Sequence, residues 1–209
     1  MKIVIFDMDG TLLDSKKDIT ISINHVREKN HNLSPVSEEY VVEAINMEVR
    51  NLSKLFYETE IYLERDRELF ESHYDVQCVQ NVTLYNGVEE TLQKLVAFGV
   101  KISVATNAPT QFALRMLEHL GVKNLFDVII GADRVVNSKP SPEMLHYILN
   151  HYRYERKNHK AWMVGDNSKD VLSAQAAGIE PIFVTWGFTS SSNETRVVKR
   201  PKELLDIVL

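Results

Sequence analysis

Two aspartates directly after an apolar segment are the residues whose types and spacing most clearly suggest chemistry. Residues 3–6 are β-branched and aromatic and predict a buried strand, which runs into Asp7, Met8, Asp9 and Gly10. On an extended backbone the two carboxylates point to the same side, where they repel unless a cation or a shared proton lies between them. The pair therefore suggests a metal site, while an ordinary Asx turn accounts for the same residues.

Other polar residues also come directly after predicted strands. Thr106 follows residues 100–105, which predict a buried strand, and Asp166 follows residues 162–164 after a glycine. Ligands of parallel α/β sheets bind at the carboxyl ends of the strands, where the strand order reverses. We therefore expect Thr106 and Asp166 at the same edge of the sheet as Asp7 and Asp9, where each one taken alone could be a simple turn residue.

Asp166 and Asp170 are spaced to lie on one face of a helix that begins near Asn167. Acids there commonly favour the positive end of a helix. Beside Asp7, however, the negative charges of these two acids repel its carboxylate unless a divalent cation is present. An all-oxygen ligand set favours Mg²⁺, which often binds a substrate phosphate at the same time. Lys139, in a position where lysines are usually solvated, could bring a positive charge to the same edge.

The composition is that of an ordinary folded protein, with 44% hydrophobic and 25% charged residues among 209. A formal net charge of -5 argues against general nucleic-acid binding, and Cys78 is the only cysteine, so it has no intramolecular disulfide partner. No apolar run approaches the roughly 20 residues that span a bilayer, and no His or Cys spacing indicates zinc. We expect a cytoplasmic protein without nucleic-acid or membrane partners.

The pattern of apolar residues divides the chain. Residues 15–82 carry helical spacing throughout, whereas residues 83–209 alternate between helix and strand. Such alternation predicts a parallel sheet covered on both faces, with right-handed crossovers. We therefore predict an α/β protein with a Rossmann-like, doubly wound parallel sheet as its core (residues 1–14 and 83–209) and an inserted all-helical cap domain (residues 15–82).

The chain resembles the haloacid dehalogenase-type hydrolases, specifically the phosphoglycolate phosphatase-like branch that has a helical cap after the first motif. The resemblance covers essentially the whole chain. It rests on four motifs that occur in order, Asp7-Met8-Asp9-Gly10-Thr11, Thr106-Asn107, Lys139-Pro140 and Gly165-Asp166-Asn167-Ser168-Lys169-Asp170.

The resemblance implies a Mg²⁺-dependent phosphatase that acts on a small phosphorylated metabolite. Asp7 is then the nucleophile that forms an aspartyl-phosphate, and Asp9 protonates the leaving oxygen and later deprotonates water. Mg²⁺ is bound by the Asp7 carboxylate, the Asp9 backbone carbonyl and Asp166. Asp170 either binds the ion as well or lies next to its ligands.

The same resemblance places the phosphoryl oxygens of the substrate. Thr106 and Lys139 hold them together with the backbone N–H groups after Asp7, and Gly10 and Asn107 belong to the same substrate-binding group. These contacts stabilise negative charge on the phosphoryl group during its transfer, which is largely dissociative.

The family also contains rival activities. Haloalkanoate dehalogenases lack the second acid of the first motif, which is present here as Asp9. A phosphotransferase or isomerase of the β-phosphoglucomutase type usually has valine where this chain has Thr11. Phosphonate cleavage requires a cap lysine that cannot be assigned. A phosphate-binding regulatory protein without turnover is a further alternative, against which the retained, mutually repelling acids argue.

The cap segment 46–50 occupies the place where relatives often carry a glycine-x-proline substrate loop, and it contains neither residue. Arg50 is the candidate for a cap contact with an anionic substrate. The identity of the phosphate ester stays open, as does the choice between a monomer and a homodimer.

Overall fold

A computed structural model describes residues 1–47, 50–190, 192, 194 and 196–209. They form two compact units, Met1–Asp14 with Thr83–Leu209, and Ser15–Val82. Within the segment 46–50, Glu48 and Val49 lie outside the described residues.

The first unit is built on a six-stranded sheet in which all neighbouring strands are parallel. With elements numbered along the chain, its strands are β1 (Lys2–Phe6), β4 (Lys101–Thr106), β5 (Val128–Gly131), β6 (Lys160–Gly165), β7 (Glu180–Val184) and β8 (Val197–Val198). The order is β5-β4-β1-β6-β7-β8. The chain adds β4 and β5 on one side of β1 and then β6, β7 and β8 on the other side. The Rossmann-like α/β prediction is confirmed, and the strand order reverses at β1.

Helices connect these strands, as expected for parallel pairs, which need long crossovers. They are α5 (Val88–Ala97), α6 (Thr110–His119), α7 (Glu143–His151) and α8 (Ser168–Ala177), and a last helix, α9 (Glu203–Val208), follows β8. Ile3, Val4 and Ile5 of β1 are fully buried, as a central strand covered on both faces requires. The rigid middle of the sheet thus ends in the first acidic motif.

A second, two-stranded antiparallel sheet pairs β2 (Leu13–Asp14) with β3 (Thr83–Leu84). It joins the residues directly after the first motif to the point where the chain re-enters the first unit. The apolar periodicity did not predict it, because strands of two residues are too short to show any periodicity.

The second unit is helical in its described part, with α1 (Lys16–His31), α2 (Glu38–Asn46), α3 (Leu52–Tyr57) and α4 (Glu64–Gln77). Its core includes Ile23, Val26, Val41 and Phe56. Asp18 is fully buried, and its carboxylate accepts hydrogen bonds from the Asn81 backbone N–H at 2.9 Å and its side-chain amide at 2.7 Å. That contact fixes the start of the unit to its end. Among the described helices, none has the length and apolarity needed to cross a bilayer.

Candidate active site at the carboxyl end of the sheet

Asp7 lies directly after β1, where the strand order reverses. Its backbone N–H donates to the carbonyl of Val164 on β6 at 2.8 Å, so the sheet holds it in place. The chain then turns sharply, and the N–H groups of Leu12 and Leu13 both donate to the carbonyl of Met8, at 2.8 and 3.0 Å. Asp7 itself is only 8% exposed. A carboxylate is therefore fixed at the position where α/β sheets bind ligands.

The buried side chain of Lys139 connects two acids of this edge. Its Nζ donates to Oδ1 of Asp7, to Oδ1 of Asp170 and to the carbonyl oxygen of Ala105, each at 2.7 Å. An ammonium group has three N–H donors, so all three are in use. Lys139 is therefore not the solvated loop lysine that is usual at such positions. It orients Asp7 and places a fixed positive charge beside it.

Asn107 holds the backbone of Lys139. Its side-chain Nδ2 donates to the Lys139 carbonyl at 3.0 Å, and its Oδ1 accepts from the Lys139 N–H, also at 3.0 Å. Both ends of the amide are thus bonded to one residue, which gives Asn107 a positioning role. Thr106, at the end of β4, is buried, and its hydroxyl oxygen accepts from the Ala108 N–H at 3.1 Å.

Asp170 lies in the first turn of α8, where it completes a capping box with Asn167. Its Oδ2 accepts from the Asn167 N–H at 3.2 Å, while Lys139 holds Oδ1. Asp166 precedes the helix, at the end of β6, so the expectation that Asp166 and Asp170 share one helical face is wrong. Asn167 is the N-cap of α8, and Asp166 comes before it, directly after the last residue of β6.

Asp166 packs against the turn at Gly10. A Cβ on Gly10 would lie 2.4 Å from Oδ2 of Asp166, and Gly10 has a φ of +79°. Both the left-handed backbone and the lack of space require glycine there. The hydroxyl of Thr11 also approaches Oδ1 of Asp166, at 3.4 Å. The first and last motifs of the sequence are thus in direct contact.

One carboxylate oxygen from each of Asp7, Asp166 and Asp170 lies within 4.8 Å of the others. Burial raises the pKa of Asp166 well above its usual range, and the charges of Asp7 and Asp170 raise it further. Burial alone would lower the pKa of Lys139, but Asp170 and Asp7 together raise it above the ordinary lysine value. A single ammonium therefore faces three carboxylates, and the excess negative charge favours a cation.

The sequence as a whole was compared with known proteins. The family model of haloacid dehalogenase-like hydrolases matches residues 4–184. The chain belongs to this hydrolase family.

Individual members of the family match nearly the full chain. The phosphoglycolate phosphatase of Vibrio parahaemolyticus is 30% identical, covering 100% of this chain and 96% of its own. The N-acetylmuramic acid 6-phosphate phosphatase of Pseudomonas aeruginosa is 28% identical, covering 100% and 95%. A crystal structure of a "predicted phosphoglycolate phosphatase" from Haemophilus somnus superposes with a TM-score of 0.83 at 26% identity, covering 100% and 98%. The resemblance to the phosphoglycolate phosphatase-like branch is confirmed, and the chain is an enzyme.

Two candidate residues of this haloacid dehalogenase-like hydrolase lie outside the three-carboxylate group. Asp9 is half-buried in the turn after β1 and is not one of the three acids whose oxygens lie within 4.8 Å of one another. Arg50 belongs to the helical unit and is partly buried, and burial lowers the pKa of its guanidinium. Its Nη1 has no hydrogen-bond partner among the described residues.

Two further contacts of the site were not predicted. The backbone N–H of Phe188 donates to Oδ2 of Asp166 at 3.0 Å, and the indole Nε1–H of Trp186 donates to the Thr11 carbonyl at 2.9 Å. Both residues follow β7, so the strand-end rule applied to Pro181–Val184 could have indicated this loop. Tyr85 was also missed. Burial and the charges of Asp14 and Asp166 raise the pKa of its phenol, which stays neutral.

The residues of this site fit a magnesium ion. The donor set is carboxylate oxygen, which suits a hard cation. Oδ2 of Asp166 accepts from the Phe188 N–H at 3.0 Å, while the Thr11 hydroxyl lies 3.4 Å from Oδ1. Both oxygens of Asp170 are already engaged, by Lys139 and by the helix cap. Asp7 and Asp166 are thus better placed than Asp170 to bind the ion.

Proposed function

We propose that this protein is a Mg²⁺-dependent phosphatase that hydrolyses a small phosphate monoester through an aspartyl-phosphate on Asp7. The observation that carries the proposal is the buried triad in which one Lys139 ammonium bonds Asp7 and Asp170 beside Asp166. Similarity to proteins named phosphoglycolate phosphatase supports the reaction type.

Asp7 attacks phosphorus in the first step, so that an Asp7 oxygen–phosphorus bond forms while the bond to the ester oxygen breaks. Lys139 keeps the Asp7 carboxylate in one orientation and offsets negative charge on the phosphoryl oxygens. Asp9 gives its proton to the leaving oxygen. In the second step Asp9 takes a proton from water, which attacks phosphorus and releases Asp7 and inorganic phosphate.

The Asp7 and Asp166 carboxylates and the Asp9 carbonyl, with Asp170 adjacent, would hold Mg²⁺, which would supply a positive charge that shields the nucleophile from the anionic substrate. The remaining orientation comes from the chain. The Thr106 hydroxyl contacts the phosphoryl oxygens, and Asn107 acts through its two bonds to the Lys139 backbone. The Gly10 N–H donates to the Leu13 carbonyl at 2.9 Å, so Gly10 shapes the turn and its own N–H does not bind the substrate.

The helical unit, residues 15–82, is in this proposal a cap domain that selects the substrate. Arg50 supports the assignment, since its guanidinium is partly buried and its Nη1 has no hydrogen-bond partner among the described residues. The two relatives described above are named for phosphate esters that also carry a carboxylate. We therefore propose a small phosphorylated acid as substrate, with Arg50 as the contact for its carboxylate.

The remaining parts of the proposal concern the setting of the enzyme. We place it in the cytoplasm, acting on a small phosphorylated metabolite as a monomer or homodimer, with no nucleic-acid or membrane partner. The net charge of -5 and the single cysteine support this.

Removal of Mg²⁺ tests the proposal. Hydrolysis of p-nitrophenyl phosphate is expected to be at least about 100-fold faster with Mg²⁺ than in EDTA, because the metal stabilises charge on the transferring group. Mg²⁺ at about 100 times its Kd should also add about 2.7 kcal/mol to the free energy of unfolding. Stability would be followed by thermal unfolding, and release of free phosphate by a colorimetric assay.

A panel of phosphate esters then separates the alternatives. Release of inorganic phosphate from phosphorylated acids supports the phosphatase. Isomerised product without free phosphate would instead indicate the β-phosphoglucomutase type of reaction. If no ester is turned over with any divalent cation, the proposal is wrong and binding without catalysis is the better account.

A further inference from the structure

Trp186, Gly187 and Phe188 lie in the loop after β7 and contact the first motif and Asp166 at three points. The first contact is the indole of Trp186. Its Nε1–H, the only hydrogen-bond donor of the side chain, donates to the backbone carbonyl of Thr11 at 2.9 Å. A residue far along the chain thereby holds the main chain of the acidic turn.

The second contact is made by Gly187, whose backbone lies directly on the backbone of Gly10. A Cβ added to Gly187 would lie 1.5 Å from the carbonyl oxygen of Gly10 and 2.5 Å from its carbonyl carbon. Backbone atoms cannot rotate away as a flexible side chain can. Any side chain at residue 187 must therefore displace either the acidic turn or the 186–188 segment.

The third contact reaches the metal-ligand candidate Asp166. The N–H of Phe188 donates to its Oδ2 at 3.0 Å, and the ring of Phe188 would be 2.9 Å from a Cβ on Gly10. A main-chain donor fixes the rotation of the Asp166 carboxylate and stabilises its charged form, which burial disfavours. The segment therefore contacts both groups between which the proposed metal lies.

We propose that residues 186–188 form a positioning clamp that sets the separation between the acidic turn and Asp166, and thereby the affinity of the site for Mg²⁺. The inference rests on the proposed function. The clamp residues are positioning residues, since they act through Thr11, Gly10 and Asp166. Partners that orient metal ligands in this way are typically worth about 10- to 100-fold in metal affinity.

Gly187→Ala is the most direct test, because it changes the distance between the 186–188 segment and the backbone of Gly10 and removes no hydrogen-bonding side chain. We expect its Mg²⁺ affinity, measured by isothermal titration calorimetry, to fall about 10- to 100-fold relative to the unmodified chain. Ser190→Ala, an exposed position in the same loop, is the matched control and should bind Mg²⁺ normally. Circular dichroism would show that all three proteins have the same secondary structure.

Trp186→Phe is the second variant, and it decides the outcome if Gly187→Ala does not fold. It keeps an aromatic ring and removes the donor to Thr11, so Mg²⁺ affinity and kcat should both fall while KM at saturating Mg²⁺ changes little. Normal Mg²⁺ affinity in both variants, or in Trp186→Phe alone if Gly187→Ala is unfolded, would overturn the clamp. Absence of Mg²⁺ binding by the unmodified chain would instead overturn the proposed function.

Discussion

Asp7→Asn is expected to lower turnover of any phosphate ester by about 10⁴-fold or more, since an amide cannot attack phosphorus and no covalent intermediate can form. The fold should remain intact. The Asn Oδ1 can still accept from Lys139, and the change removes one of three mutually repelling buried carboxylates. The free energy of unfolding in EDTA, measured with urea, should therefore be unchanged or higher.

The control for this variant is Asp206→Asn, the same chemical change at an exposed position of α9. It should match the unmodified chain in both turnover and stability. Near-normal hydrolysis by Asp7→Asn would show that another group attacks phosphorus. If the variant lost both its activity and its folded state, Asp7 would have a structural role that explains the loss.

Lys139→Met is expected to have the largest effect on stability. The side chain is 3% exposed and bonds two carboxylates that are themselves buried, so its removal leaves both acids without their cation. Breaking a buried pair in this way typically costs about 3–5 kcal/mol, and methionine keeps most of the apolar stem so that little of the cost is a cavity. Turnover should also fall by about 10²- to 10³-fold, because the fixed charge beside Asp7 is lost.

Urea unfolding in EDTA and in Mg²⁺ separates the two effects. Mg²⁺ should restore part of the lost stability, since it also offsets the negative charge of Asp7 and Asp170. Lys123→Met is the matched control. Its partner Glu118 lies 3.2 Å away with a side chain 68% exposed, and such surface pairs contribute at most about 1 kcal/mol. Equal effects of the two substitutions would contradict the role assigned to Lys139.

Much of the site could be expected from the sequence, because the residues that follow the predicted parallel strands lie where such sheets bind ligands. The apolar run of β1 stops at Asp7, and β4 and β6 stop next to Thr106 and Asp166, so the parallel-sheet rule places these residues together. The positive end of α8 likewise accounts for Asp170. Those inferences need only periodicity and the position of a polar residue.

The remaining features depend on three-dimensional contacts that leave no local pattern. The burial of Lys139 follows from Asn107, which pins its backbone, and no spacing rule links residues 32 apart. The contact of Gly187 with Gly10 joins opposite ends of the first unit. The capping hydrogen bonds of Asn167 show that α8 begins only after it, which places Asp166 outside the helix.

The helical unit is the part that the sequence describes least. Its helices follow from apolar spacing, as Ile23 and Val26 in the core show. A substrate contact has no such periodicity, because a single polar residue on a helical unit is normally solvated. The substrate contact of Arg50 is therefore a proposal, which rests on a guanidinium Nη1 without a partner in the described part of the chain and on the names of relatives.

Chemical trapping of the intermediate tests the central claim most directly. The enzyme would be mixed with a phosphate ester and Mg²⁺, quenched in acid within the first turnovers, digested and mapped by mass spectrometry. We predict one phosphoryl group on the peptide that contains Asp7, and none on that peptide from the Asp7→Asn variant. A phosphoryl group on a residue distant from the end of β1, or turnover with no phosphorylated peptide at any quench time, would contradict the account.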